Sequence, residues 1–188
     1  MNQKTVFPLI CLAFMLCLAI GSLTCVYGKT RALSRSRLRA LDDDARLRLK
    51  SALREMRRRG IQPRVNSTFR SSSEQRALYR CARSTRCRAR RGIYGAQPPG
   101  ASMHEAGLAV DLGGVANRRR LTPKGRQMVR IMRRHGFSWR YGLKDPAHFE
   151  MSPQRAGYNS RESAIKAGQR RWRKTVKTRR VASSNRLL

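Results

Sequence analysis

The chain has 188 residues, enough for one compact domain with basic ends and too few for a second catalytic domain. Lys and Arg number 43 against 10 Asp and Glu, and the formal net charge of +33 draws the protein to polyanions while naming no reaction. The basic residues are spread along the sequence, so charge alone marks no recognition element.

Residues 1–28 differ from the rest. After the polar start Met1-Asn2-Gln3-Lys4, an apolar run from Val6 to Ile20 continues more weakly to Gly28, with small residues at Gly21, Ser22 and Gly28. This is the pattern of a secretory leader, and it is also long enough for an uncleaved membrane anchor. Both readings make the protein exported, to the periplasm or cell envelope. A basic linker over 29–41 follows, with Lys29, Arg31, Arg35, Arg37 and Arg39, and such flanking charge opposes easy export. Cys11, Cys17 and Cys25 fall within the leader. Cys81 and Cys87 remain as an even pair, read either as a disulfide or as two unpaired thiols.

The spacing predicts a helix over 42–59, opened by Asp42-Asp43-Asp44, closed by Gly60 and carrying Leu49, Leu53 and Met56 on its apolar stripe. Val65, Ser67 and Phe69 then alternate with Asn66, Thr68 and Arg70, the period of a strand. Ser71-Ser72-Ser73-Glu74 has capping-box spacing and starts a helix running to about Ala82. Residues 83–102 lack an apolar periodicity and are rich in Gly and Pro, so they read as a long loop. Gly107 to Leu112 is a short strand with Leu108, Val110 and Leu112 on one face, Ala109 and Asp111 on the other. Thr122-Pro123 opens a helix closed by His135-Gly136. Residues 137–141 and 147–151 are candidate strands. Beyond Ser152 the chain is polar and cationic, read as a basic helix bearing Ile165, Trp172 and Val176 or as a solvated tail.

There are three histidines, and two stand beside carboxylates. His104 precedes the strand from which Asp111 projects away from the core. His148 shares a strand face with Glu150 and follows Asp145 by three residues. Two imidazoles and one carboxylate form the ligand set of a catalytic zinc, which leaves one position for a water whose pKa the metal lowers. Asp145 is then the candidate general base, with Glu150 and Glu105 as rivals. His135, at a helix C-terminus, is explained by the dipole and packing.

Ser102-x-His104-x-x-Gly107-x-Ala109-x-Asp111, followed by Asp145-x-x-His148, resembles the zinc D-alanyl-D-alanine carboxypeptidases of the vancomycin-resistance type and the related L-alanyl-D-glutamate endopeptidases, which share the hedgehog/DD-peptidase fold. Thr68-Phe69-Arg70-Ser71-Ser72-Ser73-Glu74-Gln75 is similar to that family's Arg-Ser-x-x-x-Gln segment. The five fixed types of the first motif recur by chance about once in ten thousand chains of this length. The resemblance implies His104, Asp111 and His148 as ligands of one zinc ion and Asp145 as the base. It also implies Arg70 as the group binding a substrate carboxylate or the oxyanion, with Gln75 and Ser102 lining the cleft. The carboxypeptidase branch usually has Glu where Asp145 stands, so Asp145 looks more like the endopeptidase branch.

The expectation is therefore an α+β domain over 42–151, a small antiparallel sheet bearing a zinc site with helices on the opposite face, followed by a basic tail over 152–188. The expected protein is a monomeric metallopeptidase that hydrolyses peptidoglycan stem peptides by metal-activated water, its basic ends held to anionic envelope polymers or lipids. The rival is a cationic nucleic-acid or envelope-polymer binding protein with a non-catalytic peptidase-like domain.

Overall fold

The computed structural model describes residues 35–91, 93 and 95–184. The leader or anchor over 1–28, with Cys11, Cys17 and Cys25, and residues 29–34 of the linker lie outside the described residues. No helix among the described residues is long and apolar enough to cross a membrane.

A short helix, α1 (Arg35–Arg39), leads into α2 (Asp43–Arg58). The Asp42 carboxylate caps α2 by accepting from the Asp44 and Ala45 amides, worth about 1 kcal/mol for such a cap. Ala45, Leu49, Ala52 and Met56 form the buried stripe of α2. The strand β1 (Arg64–Ser67) follows, then α3 (Ser72–Arg83), whose N-terminus carries the expected capping box between Ser71 and Glu74. The stretch 83–102, read as a loop throughout, contains a seven-residue helix, α4 (Thr85–Arg91). This helix has no apolar stripe to betray it. It is held by the Cys81–Cys87 disulfide and by Ser84 Oγ, which accepts from the Cys87 amide.

One helical turn, α5 (Met103–Ala106), ends at Gly107, whose left-handed φ of +72° turns the chain into β2 (Ala109–Gly113). A Cβ on Gly107 would stand 2.7 Å from the Ala40 carbonyl oxygen, so this turn needs glycine for space as well as for φ. Next comes a hairpin, β3 (Ala116–Asn117) and β4 (Arg120–Leu121), turning on Arg118 and Arg119 at positive φ. It carries none of the glycines that usually signal such a turn. The helix α6 (Pro123–Arg134) is capped by Thr122 and closed at His135. The candidate strand 137–141 shrinks to one bridge between Ser138 and Glu150. The chain then turns away, with the Trp139 indole N–H donating to the Pro146 carbonyl and a 3-10 turn over Gly142–Lys144. The strand β5 (His148–Glu150) completes the sheet.

The sheet order is β1-β2-β5, antiparallel throughout. Val110 sits opposite Phe149 and Asp111 opposite His148, so directly paired residues share a face. Val110, Leu112 and Phe149 meet α2 and α6 in the core. Asp111, His148 and Glu150 occupy the other face.

The last element, α7 (Arg161–Ser184), packs on α1 and α5. Ala164 and Ile165 are buried, and the Trp172 ring stacks on Phe69 with centroids 5.3 Å apart, worth about 0.5–1.5 kcal/mol beyond burial. Arg171 donates to the Ala106 carbonyl and the Tyr158 hydroxyl, and it pairs with Asp42. The packed body thus extends on both sides of 42–151, because the basic helix has an apolar edge that the charge count hides.

Candidate metal centre

His104 is presented by α5. Its Nδ1 lies 2.6 Å from the Thr68 carbonyl oxygen, and since a carbonyl only accepts, Nδ1 donates there and Nε2 is left as the nitrogen that faces the site. Nε2 lies 3.2 Å from Asp111 Oδ1. On β5, His148 presents Nδ1 to the same Asp111 Oδ1, also at 3.2 Å. Its Nε2 faces Glu150 Oε2 at 3.1 Å. The register that pairs Asp111 with His148, together with the turn at Gly107, therefore converges residues 104, 111 and 148.

One donor atom from each of the three residues lies within 4.8 Å of the others. Two donors at ~2.0–2.2 Å from a common tetrahedral ion stand about 3.4 Å apart, close to the two 3.2 Å separations seen here. The donor set suits a divalent ion: two largely buried imidazoles whose outer nitrogens are each held by an oxygen acceptor, and a carboxylate between them.

The electrostatics follow from this crowding. For Asp111, burial opposes the charge, but the His104 and His148 interactions outweigh it and hold the carboxyl far below its usual range. Burial also lowers His148, yet hydrogen bonds and charge from Asp111 and Glu150 push it up to about 9. For Glu150 burial is likewise outweighed, by His148, Arg140 and Arg161, and its carboxyl is held low. Asp145 moves the other way, raised by burial and then by the Asp111 charge.

These residues line a cleft of about 670 Å³. Asp145 is in its wall, at the end of the 3-10 turn, where its carbonyl accepts from the His148 amide. Of the rival bases, Glu150 is engaged with His148 Nε2 and with Arg140. Glu105 is fully buried outside the cleft lining, one oxygen accepting from the Gly100 amide and the other without a partner among the described residues.

Arg70 enters the cleft beside Asp111, Nη2 to Oδ2 being 3.9 Å. It donates to Gln75 Oε1 at 2.8 Å and to Ser67 Oγ at 3.4 Å. Gln75, fully buried, in turn donates to the Gln97 carbonyl, so it ties Arg70 and the 95–102 loop to α3. Ser102 touches the cleft but works as the cap of α5, its Oγ accepting from the His104 amide. His135 lies apart from the site, Nε2 facing Glu55 at 2.9 Å and joining α6 to α2.

The Tyr141 ring, which the sequence places in the core or the cleft wall, packs edge-on against His148 with centroids 5.3 Å apart. Four contributors escaped the sequence reading. The Thr68 carbonyl orients His104. Lys144 and Arg161 add positive charge to the cleft. Gln169 on α7 donates to the Arg70 and Glu105 carbonyls, bracing both segments from behind. Backbone acceptors and residues from a distant helix leave no local signature.

The family model described as VanY, D-alanyl-D-alanine carboxypeptidase, matches residues 38–154. No curated protein matches the chain. Two similar solved structures come from vancomycin-resistance systems. One is the D,D-dipeptidase VanXYg in complex with a D-Ala-D-Ala phosphinate analogue, 23% identical over 67% of this chain and 58% of that chain, with a TM-score of 0.46. The other is a mutant of the D,D-pentapeptidase VanY from the VanB-type cassette in complex with Zn(II), 23% identical over 68% of this chain and 78% of that chain, with a TM-score of 0.42. The chain thus spans less than two thirds of the first of these.

Proposed function

This chain belongs to the VanY family of D-alanyl-D-alanine carboxypeptidases, and from that premise we propose that it is a zinc peptidase that removes the terminal D-alanine of peptidoglycan stem peptides. The observation that carries this reading is the convergence of His104, Asp111 and His148 at the floor of a cleft that Asp145 and Arg70 also face.

Zinc, which suits two imidazoles and a carboxylate, would polarise the scissile carbonyl and acidify a water when bound. His104 would hold it through Nε2 and His148 through Nδ1, while the Thr68 carbonyl and Glu150 keep the opposite ring nitrogens protonated and the rings oriented. Asp145 takes the proton of the attacking water and returns it to the departing amine as the amide C–N bond breaks. Arg70 meets the charge that develops on the carbonyl oxygen, and Gln75 holds its guanidinium in place. Lys144 and Arg161 favour a substrate that ends in a carboxylate. A second reading, internal cleavage between L-alanine and D-glutamate, draws on Asp145 standing where the carboxypeptidase branch usually has Glu. Placement in the cell envelope draws on the leader pattern of residues 1–28.

Mass analysis of defined stem peptides tests the bond cleaved. Loss of one terminal D-alanine, abolished by a chelator and restored by zinc, is expected. Internal scission would replace this reading with the second, and intact peptides would contradict both.

A further inference from the structure

The acids of this chain are unevenly placed. From Gln75 to His104 there is no Asp, Glu or Lys, and from Arg76 to Arg91 an arginine recurs every few residues. In the fold this stretch is α3, α4 and the loop beyond them, with the two helices tied by the Cys81–Cys87 disulfide. Arg76, Arg80, Arg83, Arg86, Arg88 and Arg90 are all exposed, and none forms an ion pair among the described residues. Glu74, the acid of α3, is already engaged with Arg37 and Ser71.

Positions 76, 80 and 83 form one stripe about 10 Å long, whose mean direction lies roughly 140° around α3 from that of Gln75 and Leu78. Since Gln75 and Leu78 line the cleft, α3 shows one face to the cleft and a cationic face to solvent. The disulfide keeps the arginines of α4 beside those of α3 against their mutual repulsion, an arrangement that a bound polyanion relieves. The Arg83 guanidinium covers the Tyr79 ring, 5.7 Å from its centroid, which occupies an aromatic face that a nucleic-acid base would stack on. Guanidinium forks match phosphate oxygens in pairs, which an ammonium does not.

We propose that the α3–α4 unit is a docking surface for a linear phosphodiester polymer of the cell wall, a polyol phosphate chain, which holds the cleft against peptides of the same wall. The choice of a wall polymer over nucleic acid rests on the proposed peptidase function and on the covered Tyr79 face; the charge pattern rests on neither.

The test is binding of the full chain to poly(glycerol phosphate) and to oligothymidylate of equal charge between 50 and 200 mM salt, measured alongside cleavage of a soluble stem peptide. The triple variant Arg76→Glu, Arg80→Glu, Arg83→Glu is expected to weaken poly(glycerol phosphate) binding at least tenfold. It should also flatten the slope of log K against log salt by about 2, because each phosphate that an arginine neutralises on a flexible strand contributes roughly 0.7 to that slope. Arg86→Glu, Arg88→Glu, Arg90→Glu on α4 should do the same. The control Lys124→Glu, Arg130→Glu, Arg133→Glu on α6 makes the same change in charge and should cost less than threefold. Equal losses in all three variants would reduce the effect to net charge and overturn the proposal, and tighter binding of oligothymidylate would reassign the surface to nucleic acid. If the wild type bound the polymer yet cut no peptide, the peptidase reading would fail and the docking surface would stand.

Discussion

Replacing Glu150 by Ala separates the role of base, which the sequence left open for it, from that of imidazole partner, which the structure shows. In the structure this carboxylate receives His148 Nε2–H at 3.1 Å, with both side chains under a tenth exposed, so the bond is little screened by solvent. A hydrogen bond to a charged group of this kind contributes about 1.5–3 kcal/mol, which is roughly 10- to 150-fold in an equilibrium constant. That agrees with the ~10- to 100-fold loss of metal affinity seen when the partner of a ligating imidazole is removed. Chelator competition on Glu150→Ala should therefore show zinc binding weakened by about one to two orders of magnitude. Activity should recover substantially when zinc is raised to saturation. Glu150→Gln, which still offers an oxygen acceptor, should lose less. Unchanged zinc affinity, combined with lost turnover at saturating zinc, would refute the reasoning and make Glu150 the base.

Asp145→Asn is expected to lower kcat by about 10²–10⁴-fold, with zinc affinity changed less than threefold; retained turnover in zinc-replete enzyme would remove Asp145 from the chemistry. In the metal-free protein the folded pKa of His148, about 9, lies above its ordinary 6.5. Its contribution to stability is thus fully present below pH 6.5 and is lost as pH rises through about 9. Thermal melts of metal-free protein between pH 6 and 10 should show that decline, and His148→Ala should lack it; zinc uptake should release a proton and tighten with pH across the same window. Gly168→Ala would place a Cβ 2.3 Å from the Glu105 carbonyl oxygen and 2.7 Å from the Ala106 carbonyl carbon, where α7 lies on α5. A cost of about 1–3 kcal/mol and a fall of several degrees in Tm are expected, and an unchanged Tm would mean that α7 does not seat there.

The site was legible where chemistry and local geometry coincide. Histidine is scarce, strand alternation separates Asp111 from Val110 and His148 from Phe149, and Gly107 marks the turn between His104 and its strand. The capping box at Ser71 and the Thr122-Pro123 helix start were legible for the same reason, since each satisfies its own backbone within four residues. Long-range pairing is not written locally. The Ser138–Glu150 bridge left too little sheet for a strand over 137–141, and α4 formed where no periodicity announced it. The packed length of α7 was hidden by its charge, because Arg171 and Gln169 spend their polar ends on backbone carbonyls that only the fold brings near. Glu150 reads as a rival base from sequence because spacing cannot tell which side of an imidazole a carboxylate meets.

Metal stoichiometry measured directly on the purified chain and on His104→Ala, Asp111→Ala and His148→Ala tests the centre most directly. One tightly held zinc ion per wild-type chain is expected, with its retention lost in each variant while the fold persists by circular dichroism. Full zinc occupancy in any of the three variants, or none in the wild type, would contradict the account.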